Sequence, residues 1–296
     1  MGPSAENQGS PMHWPSKNSR RGMRALLVAT IAATASVFVY PIAASAAPDP
    51  VRTTVSEACK NADHLLIAAR GSGESSGLGP TMTAVYNAMA EKGSTDYKVN
   101  AIAVDYPARS VTSIPLVLFG NTGYFDGIPD GITKAVKLLQ QVQTLPECES
   151  VSVTLGGYSQ GAMVMHRLIQ LFDAPQLRQF HVSSAVLVGD GDRIGDDSGV
   201  VPFGSASRSS LGIGQLLPVV AGSNGTRFND SKDISINSVC NTNDPVCAPD
   251  WSVPTWCKNG CASAWRAARL LVGIGVHQVY PRSTALRDAA RATICC

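Results

Sequence analysis

Charged residues are scarce in this sequence, and their signs almost cancel. They make up 16% of the 296 residues, against 44% that are hydrophobic, and the formal net charge is +2. Such a chain can bury a sizeable core, which excludes disordered and fibrous proteins. Internal repeats and low-complexity segments are also missing after residue 47. We therefore expect an ordinary globular protein.

Long apolar runs are rare too, and the single one lies near the N-terminus. A polar, basic segment ends at Arg24, the run extends from Ala25 to Tyr40, and the small residues Ala44–Ala46 follow. This order is typical of a secretory signal peptide with its cleavage site. We predict that residues 1–46 are removed and that residues 47–296 form one domain, since about 250 residues suit a single α/β unit.

Two other interpretations of this N-terminus stay open. The apolar run is near the lower length limit for crossing a bilayer, so a retained membrane anchor is the alternative to cleavage. The pair Arg20–Arg21 also resembles a twin-arginine export signal, although the usual flanking residues are incomplete.

Cleavage would also change the charge of the protein. The signal segment carries four cations and one anion, so the formal charge falls from +2 to −1 on its removal. A nearly neutral domain has no electrostatic reason to bind nucleic acid or anionic lipid. We expect a secreted monomer that is not inserted in a membrane and does not bind nucleic acid.

The cysteines of an exported protein are expected to form disulfides, because disulfides persist in oxidising compartments. No C-x-x-C pair occurs and no cysteine stands beside a histidine in a zinc-like pattern, so disulfides are favoured over a metal site. We expect no metal and no cofactor. The eight cysteines all follow the signal segment: Cys59, Cys148, Cys240, Cys247, Cys257, Cys261, Cys295 and Cys296.

Continuous apolar runs alternate with helical patterns along the rest of the chain. Strands without polar alternation are typical of a parallel sheet that is covered on both faces. The fold class is therefore predicted to be α/β, a three-layer hydrolase-like sandwich, with an irregular excursion over residues 195–230. The predicted strands are residues 64–69, 99–104, 151–158, 184–188 and 234–239, and the predicted helices are residues 79–92, 128–142, 265–272 and 283–292.

The strand that begins at Val151 runs into Gly157-Tyr158-Ser159-Gln160-Gly161, and an apolar helix pattern follows. A strand, a tight G-x-S-x-G turn and a helix form a nucleophile elbow, in which the serine hydroxyl stands clear of the sheet. Ser159 is therefore the predicted nucleophile. The alternative is an ordinary turn with a buried serine.

A serine nucleophile needs a histidine base and an acid, which follow it in this order in α/β hydrolases. His277 is the histidine far enough downstream, in a predicted loop between helices. His13 leaves with the signal peptide, His64 and His181 lie at strand starts, and His166 lies two helical turns after Ser159.

The predicted acid is Asp244, which lies between Cys240 and Cys247. A disulfide closing this short segment would hold the carboxylate rigidly for the imidazole. Asp190 and Asp192, at the end of the preceding strand, are the alternative acids, although Gly-Asp-Gly-Asp is more simply a turn.

The oxyanion of the reaction needs at least two hydrogen-bond donors. One is the backbone N–H of Gln160, the residue after the nucleophile. The Gly/Ser loop Arg70–Glu74 follows an early strand and can supply the second donor through Ser72, whose alternative role is that of a plain turn residue.

Four pieces of this sequence together resemble the cutinase family of secreted serine esterases. They are Ala69–Glu74 (A-R-G-S-G-E), the Gly157–Gly161 elbow, the C-x-x-x-D-x-x-C segment Cys240–Cys247, and the H-x-x-Y pattern that starts at His277. The resemblance implies a small α/β hydrolase with a largely parallel five-stranded sheet and an open site without a large lid.

The resemblance also implies roles and pairings. Ser159, His277 and Asp244 would be the nucleophile, base and acid, with Ser72 and Gln160 as the oxyanion hole. Cys59 would pair with Cys148 and Cys240 with Cys247. The substrates would be cutin-like polyesters, short acyl esters, acylglycerols or acetylated xylan.

Three features depart from the compact fungal pattern: the excursion over residues 195–230, Cys257 with Cys261, and the terminal Cys295–Cys296 pair. They resemble a bacterial branch of the family, whose substrates are often lipids or small esters. Cys257 and Cys261 could form a third bridge, and the pairing of the last two cysteines is open.

The sequence therefore predicts a secreted serine esterase acting on ester or lipid substrates. Apolar stretches at Ile114–Phe119 and Leu270–Val276 could line an acyl-chain site, with ordinary core packing as the alternative. An acyltransferase with the same triad, or a catalytically silent envelope-binding protein with the same fold, are the competing functions.

Overall fold

The structure is a computed structural model of the 296-residue chain. It describes residues 52–93, 97–108, 125–216, 226–228, 232–255, 257 and 261–294. These residues belong to one compact unit, Ala46–Cys296. The predicted signal peptide, the stretch Ile114–Phe119 and the Cys295–Cys296 pair lie outside the described residues.

A six-stranded parallel sheet forms the centre of the described fold. Its spatial order is β2-β1-β3-β4-β6-β5, and every neighbouring pair is parallel. The strands are β1 (His64–Ala69), β2 (Val99–Ala103), β3 (Ser152–Tyr158), β4 (Val182–Val188), β5 (Val200–Phe203) and β6 (Ser235–Val239).

Helices connect these strands. They are α1 (Val55–Cys59), α2 (Gly79–Lys92), α3 (Ile128–Thr144), α4 (Gln160–Leu171), α5 (Ala174–Gln179), α6 (Ile213–Leu216), α7 (Cys261–His277) and α8 (Thr284–Arg291), with 3₁₀ turns at Pro146–Cys148 and Tyr280–Arg282.

The helices cover both faces of the sheet, which confirms the predicted three-layer α/β class. Side chains of α1, α3, α4 and α5 share one core cluster with β1, β3 and β4. Side chains of α2 and α8 form a second cluster with the opposite face of the strands. Because both faces are buried, β1 and β4 carry continuous apolar runs, while β2, β3 and β6 combine apolar residues with small or polar ones. The sequence pattern located these five strands.

The sixth strand was not predicted from the sequence. Strand β5 lies inside the predicted excursion and pairs with β6 at the sheet edge. It is four residues long and its side chains are partly exposed, so it has no apolar run to reveal it. The sheet thus has one strand more than the five that the family resemblance implies.

The strand order reverses direction between β1 and β3. From β1 the chain adds β2 on one side, and from β3 it adds β4, β6 and β5 on the other. The loops that leave the carboxyl ends of β1 and β3 therefore diverge and leave a crevice between them, the usual ligand position in open parallel sheets. The loop at Arg70 and the elbow at Ser159 both begin at this point.

Three disulfides occur among the described residues. Cys59 of α1 is bonded to Cys148, and Cys240 is bonded to Cys247 across the loop that contains Asp244. Cys257 is bonded to Cys261, the pair that the sequence left as a possible bridge. Within the described ranges, no helix is long and apolar enough to cross a membrane, and no cluster of three or more potential ligands could hold a metal ion.

A buried histidine, His64, is the first residue of β1. It lies at the amino end of the strand, opposite the crevice at the carboxyl ends. His64 is 1% exposed, and its ring nitrogens contact the hydroxyls of Tyr97 at 3.1 Å and Thr154 at 2.6 Å. The Thr154 hydroxyl is in turn 2.7 Å from that of Ser184. Hydroxyl groups can stabilise a neutral imidazole but give no countercharge to a cation. Burial therefore lowers the pKa of His64 from 6.5 to about 4.

We predict that acid weakens the fold through His64. Between pH 6.5 and 4 the unfolded chain binds more protons at this site than the folded chain, so the free energy of unfolding falls as the pH falls. A difference from 6.5 to about 4 corresponds to about 3 kcal/mol over the whole window. Urea unfolding at several pH values should show a shallower pH dependence for His64→Gln than for the wild type.

His181→Asn is the matched control, because His181 precedes β4 and is partly exposed. It should change the slope less than His64→Gln does. Equal slopes for the wild type and His64→Gln between pH 4 and 6.5 would contradict the assignment.

Candidate active site

Ser159 lies in a strained turn between β3 and α4. Its backbone has φ 55° and ψ −120°, a conformation that non-glycine residues rarely adopt. Glycines permit the tight approach on both sides. A β-carbon at Gly157 would overlap the carbonyl oxygen of Gly161, and one at Gly161 would overlap the carbonyl oxygens of Ala69 and Arg70. This is the geometry of a nucleophile elbow.

The elbow is anchored to the neighbouring strand and to the helix that follows. The backbone N–H of Ser159 donates to the Val188 carbonyl at the end of β4, at 2.8 Å, and its carbonyl accepts from Met163 N–H at 3.1 Å. Gln160 is the first residue of α4 and is fully buried. The serine therefore stands at the positive end of a helix dipole, which favours developing negative charge nearby.

His277 lies beside this elbow. The ring of Tyr158, the residue before Ser159, stacks on the imidazole with centroids 4.9 Å apart. On the other side, a β-carbon at Gly189 would lie 2.7 Å from Cε1 of His277. The sequence placed His277 in a loop, which is wrong: it is the last residue of α7, because the apolar helix pattern continues through Val276.

The described structure brings Asp244 to His277. Nδ1 of His277 lies 2.8 Å and 2.9 Å from the two carboxylate oxygens of Asp244. One of these oxygens also accepts the Tyr280 hydroxyl at 2.5 Å, and the other accepts the backbone N–H groups of Val246 at 2.7 Å and Cys247 at 3.2 Å. The short Cys240–Cys247 loop thus presents the carboxylate in one orientation.

These contacts keep Asp244 ionised although it is completely buried. Burial by itself would raise its pKa, but the charge of His277 and the hydrogen bonds from His277, Tyr280 and Val246 together lower the pKa below its ordinary value. A permanently charged carboxylate fixes the imidazole with its proton on Nδ1. The other nitrogen, Nε2, is then free to accept a proton.

Two tyrosines were not identified as site residues from the sequence. Tyr280 donates to Asp244 and accepts from the Asn241 N–H at 3.0 Å, and burial together with Asp244 raises the pKa of its phenol well above 10. Tyr158 donates its hydroxyl to the carbonyl of His277 at 2.7 Å. Both belong to motifs that the sequence had shown, the G-Y-S-Q-G elbow and H-x-x-Y, but a motif does not reveal a contact across 119 residues.

The alternative acids bind other partners. Asp190 is 2.6 Å from Nδ1 of His166, inside the protein. Asp192 accepts two hydrogen bonds from the guanidinium of Arg167. Both carboxylates therefore hold the loop after β4 against α4, and neither contacts His277 in the described residues.

The loop after β1 is held by its own first residue. The Arg70 guanidinium donates to the carbonyls of Tyr106 at 2.7 Å and Glu74 at 3.2 Å, and the Tyr106 hydroxyl donates back to the Arg70 carbonyl at 2.7 Å. Ser72 lies in the middle of this loop. Its hydroxyl oxygen is buried and has no hydrogen-bond partner within the described ranges, and the same is true of Nε2 of His277.

The proposed nucleophile and base have little exposed surface. Ser159 is 1% exposed and His277 is 3% exposed. Of the two apolar stretches predicted to line an acyl site, Leu270–Val276 belongs to α7, where Leu270 is buried while Leu271 and Val272 are 53% and 76% exposed. The other stretch lies outside the described residues.

Comparisons with known proteins agree on one family. A family model described as Cutinase matches residues 58–269, most of the chain, and ends before His277. Phospholipase Culp4 of Mycobacterium tuberculosis is 28% identical over 222 residues, which are 75% of this chain and 78% of the relative. A cutinase of Botryotinia fuckeliana is 30% identical over 176 residues, 60% of this chain and 76% of the relative.

Solved structures share the fold. A cutinase-like protein from Cryptococcus sp. has a TM-score of 0.52 at 16% identity, covering 77% of this chain and 91% of its own. The catalytic core of an acetyl xylan esterase from Trichoderma reesei has a TM-score of 0.52 at 18% identity, covering 79% and 99%. With the family model spanning most of the sheet and the elbow, this chain belongs to the cutinase family and is a carboxylic ester hydrolase.

Proposed function

We propose that this protein is a secreted esterase that hydrolyses lipid esters through Ser159, His277 and Asp244. One observation carries the assignment. The His277 imidazole stacks on Tyr158, next to Ser159, and its Nδ1 is hydrogen-bonded to the buried Asp244 carboxylate. Its Nε2 has no hydrogen-bond partner in the described part of the chain. Nε2 therefore makes no hydrogen bond to the Ser159 hydroxyl in the described structure, and a general base must make this contact when substrate binds.

In the first half of the reaction, Ser159 Oγ attacks the ester carbonyl carbon while Nε2 of His277 takes the hydroxyl proton. Asp244 stabilises the resulting imidazolium through Nδ1. The tetrahedral intermediate then collapses, the bond to the alcohol oxygen breaks, and His277 returns the proton to that oxygen. Water repeats the attack on the acyl-enzyme and releases the carboxylic acid.

The developing oxyanion would be bound by Ser72 and by the backbone N–H of Gln160. The Ser72 hydroxyl is buried without a protein partner among the described residues, and Gln160 begins the helix that follows the nucleophile. Each well-placed donor contributes on the order of 10²–10³ in rate in enzymes of this kind.

The substrate class we propose is a lipid ester. A relative from Mycobacterium tuberculosis carries the name phospholipase, which supports the bacterial branch of the family. In this chain Leu271 and Val272 are exposed on α7, the helix that ends at the base. Secretion is supported by the disulfides and by the N-terminal sequence pattern, since disulfides persist in oxidising compartments.

We predict that Ser159→Ala abolishes ester hydrolysis. Loss of the nucleophile should lower kcat by on the order of 10⁴-fold or more for every p-nitrophenyl ester from acetate to palmitate. The wild type should be more active on the medium and long chains than on acetate. The measurement is p-nitrophenol release, with Ser198→Ala as the control because Ser198 is exposed on a loop away from the elbow.

The competing functions give different results in the same experiment. Full activity in Ser159→Ala would refute the nucleophile assignment. A transferase would release p-nitrophenol but yield mainly a new ester when glycerol or a sugar alcohol is added. A silent binding protein would show no turnover and no labelling of Ser159 by an active-site phosphonate.

We predict that Tyr280→Phe shifts the pH profile of the enzyme. Without the phenol donor the Asp244 carboxylate is less well stabilised on its own, so it stabilises the imidazolium more strongly. The acid limb of kcat/KM should move up by roughly half a pH unit, with a roughly fivefold lower plateau. The measurement is kcat/KM from pH 4 to 9.

Tyr158→Phe is the comparison variant. It removes the hydroxyl bond to the His277 carbonyl but leaves every donor to Asp244 in place. Its acid limb should stay at the wild-type position. An unmoved acid limb in Tyr280→Phe would show that the phenol does not influence the base.

A further inference from the structure

A partly buried carboxylate that the proposed mechanism does not use lies close to Ser72 in the loop after β1. Glu74 closes the loop after β1, and its side chain points back into that loop. One carboxylate oxygen accepts the backbone N–H of Gly71 at 2.7 Å. The other accepts the hydroxyl of Thr81 at 3.3 Å, and the carboxylate also accepts the Thr81 backbone N–H.

The same carboxylate serves the start of α2. Thr81 is the third residue of that helix, and Leu78, which precedes the helix, has no side chain that caps it. A negative charge at a helix N-terminus binds free N–H groups and the positive end of the dipole. Glu74 therefore joins α2 to the residue directly before Ser72.

The glycines around Glu74 leave little room for movement. Gly79 has φ +68°, and a β-carbon there would overlap the Glu74 carboxylate. A β-carbon at Gly71 would overlap the ring of Tyr158 and would lie 3.3 Å from the carboxylate. The Glu74 carboxylate thus lies against Gly71, and Gly71 lies against the Tyr158 ring that stacks on His277.

Holding this charge inside the protein has a cost. Burial raises the pKa of Glu74, and the hydrogen bonds from Gly71 and Thr81 and the charge of His277 offset the shift only in part. A neutral side chain could keep the bond from the Gly71 N–H without that cost. Among the described residues, the titratable side chains that meet this loop are His277 from α7, Tyr158 from β3, Tyr106 after β2 and Arg70 from the loop itself.

We infer that Glu74 is a positioning residue of the active site: its carboxylate fixes the Gly71 amide against α2 and thereby sets the place of Ser72 in the oxyanion hole. The inference rests on the proposed function, because it assigns Ser72 the role of an oxyanion donor. Glu74 itself does not touch the substrate.

The test compares Glu74→Ala with Glu74→Gln. A glutamine can accept from Gly71 N–H with its oxygen and donate to the Thr81 hydroxyl with its nitrogen, so it keeps these two contacts without the charge. It has one acceptor oxygen instead of two for the backbone N–H groups of Gly71 and Thr81. We expect Glu74→Ala to lower kcat about 10- to 100-fold with KM within about twofold, because a misplaced donor acts on the transition state. Glu74→Gln should restore kcat to within about threefold of the wild type.

The pH profile and the stability separate this role from a structural one. The acid limb of kcat/KM in Glu74→Gln should move to lower pH, since a negative charge near His277 is gone. Its thermal midpoint should equal or exceed that of the wild type, because a partly buried charge is removed. Glu149→Ala, at an exposed position, is the matched control and should change none of these readouts.

A second readout does not depend on catalysis. Hydrogen exchange at the Gly71 and Ser72 amides should be faster in Glu74→Ala than in the wild type and near the wild-type rate in Glu74→Gln. An inactive wild type with Ser159 unlabelled by phosphonate would refute the proposed function, while exchange would still test the positioning. Equal kcat values in all variants, or equal losses in Glu74→Ala and Glu74→Gln, would overturn the inference.

Discussion

The positive φ angle of the Ser159 backbone is the constraint on which the rest of the site depends. A non-glycine residue held in that conformation costs on the order of 1–3 kcal/mol and persists because its surroundings over-determine it. Here the surroundings are the N–H bond to Val188, the start of α4, and two glycine contacts that admit no side chain. The strain places a hydroxyl above the sheet, at the crevice between β1 and β3 where the strand order reverses.

The acid and base are assembled from segments that are distant in sequence. Asp244 is held by a disulfide-closed loop after β6, and His277 ends a helix that follows it. Tyr280 donates a hydrogen bond to Asp244. Tyr158, the last residue of β3, donates one to the His277 carbonyl and so joins the base to the elbow strand. Among the residues that the structure describes, the Asp244 carboxylate is stabilised by hydrogen-bond donors and has no lysine or arginine partner. The orientation of the His277 imidazole is therefore set by hydrogen bonds to a buried carboxylate.

The parts of the fold that could be predicted from the sequence are those with both faces buried. Strands β1 and β4 have continuous apolar runs, and β2, β3 and β6 combine apolar residues with small or polar ones at mostly buried positions. The family motifs appear in the expected order. Strand β5 escaped prediction because an edge strand with half-exposed side chains has no distinctive pattern. The end of α7 was misplaced although its apolar pattern continues through Val276, because helix ends are the least sharply defined part of a helix.

The sequence by itself determined the fold class, the family and the residue types at each position of the candidate site, because apolar periodicity and glycine spacing are local properties of the chain. The tertiary structure alone decided which carboxylate meets His277, where Asp190 and Asp192 find their partners, and how Tyr158, Tyr280 and Glu74 support the site. Apart from the local bonds of Glu74, these contacts join residues 24 to 119 positions apart. The packing of helices on both sides of the sheet determines which of them form.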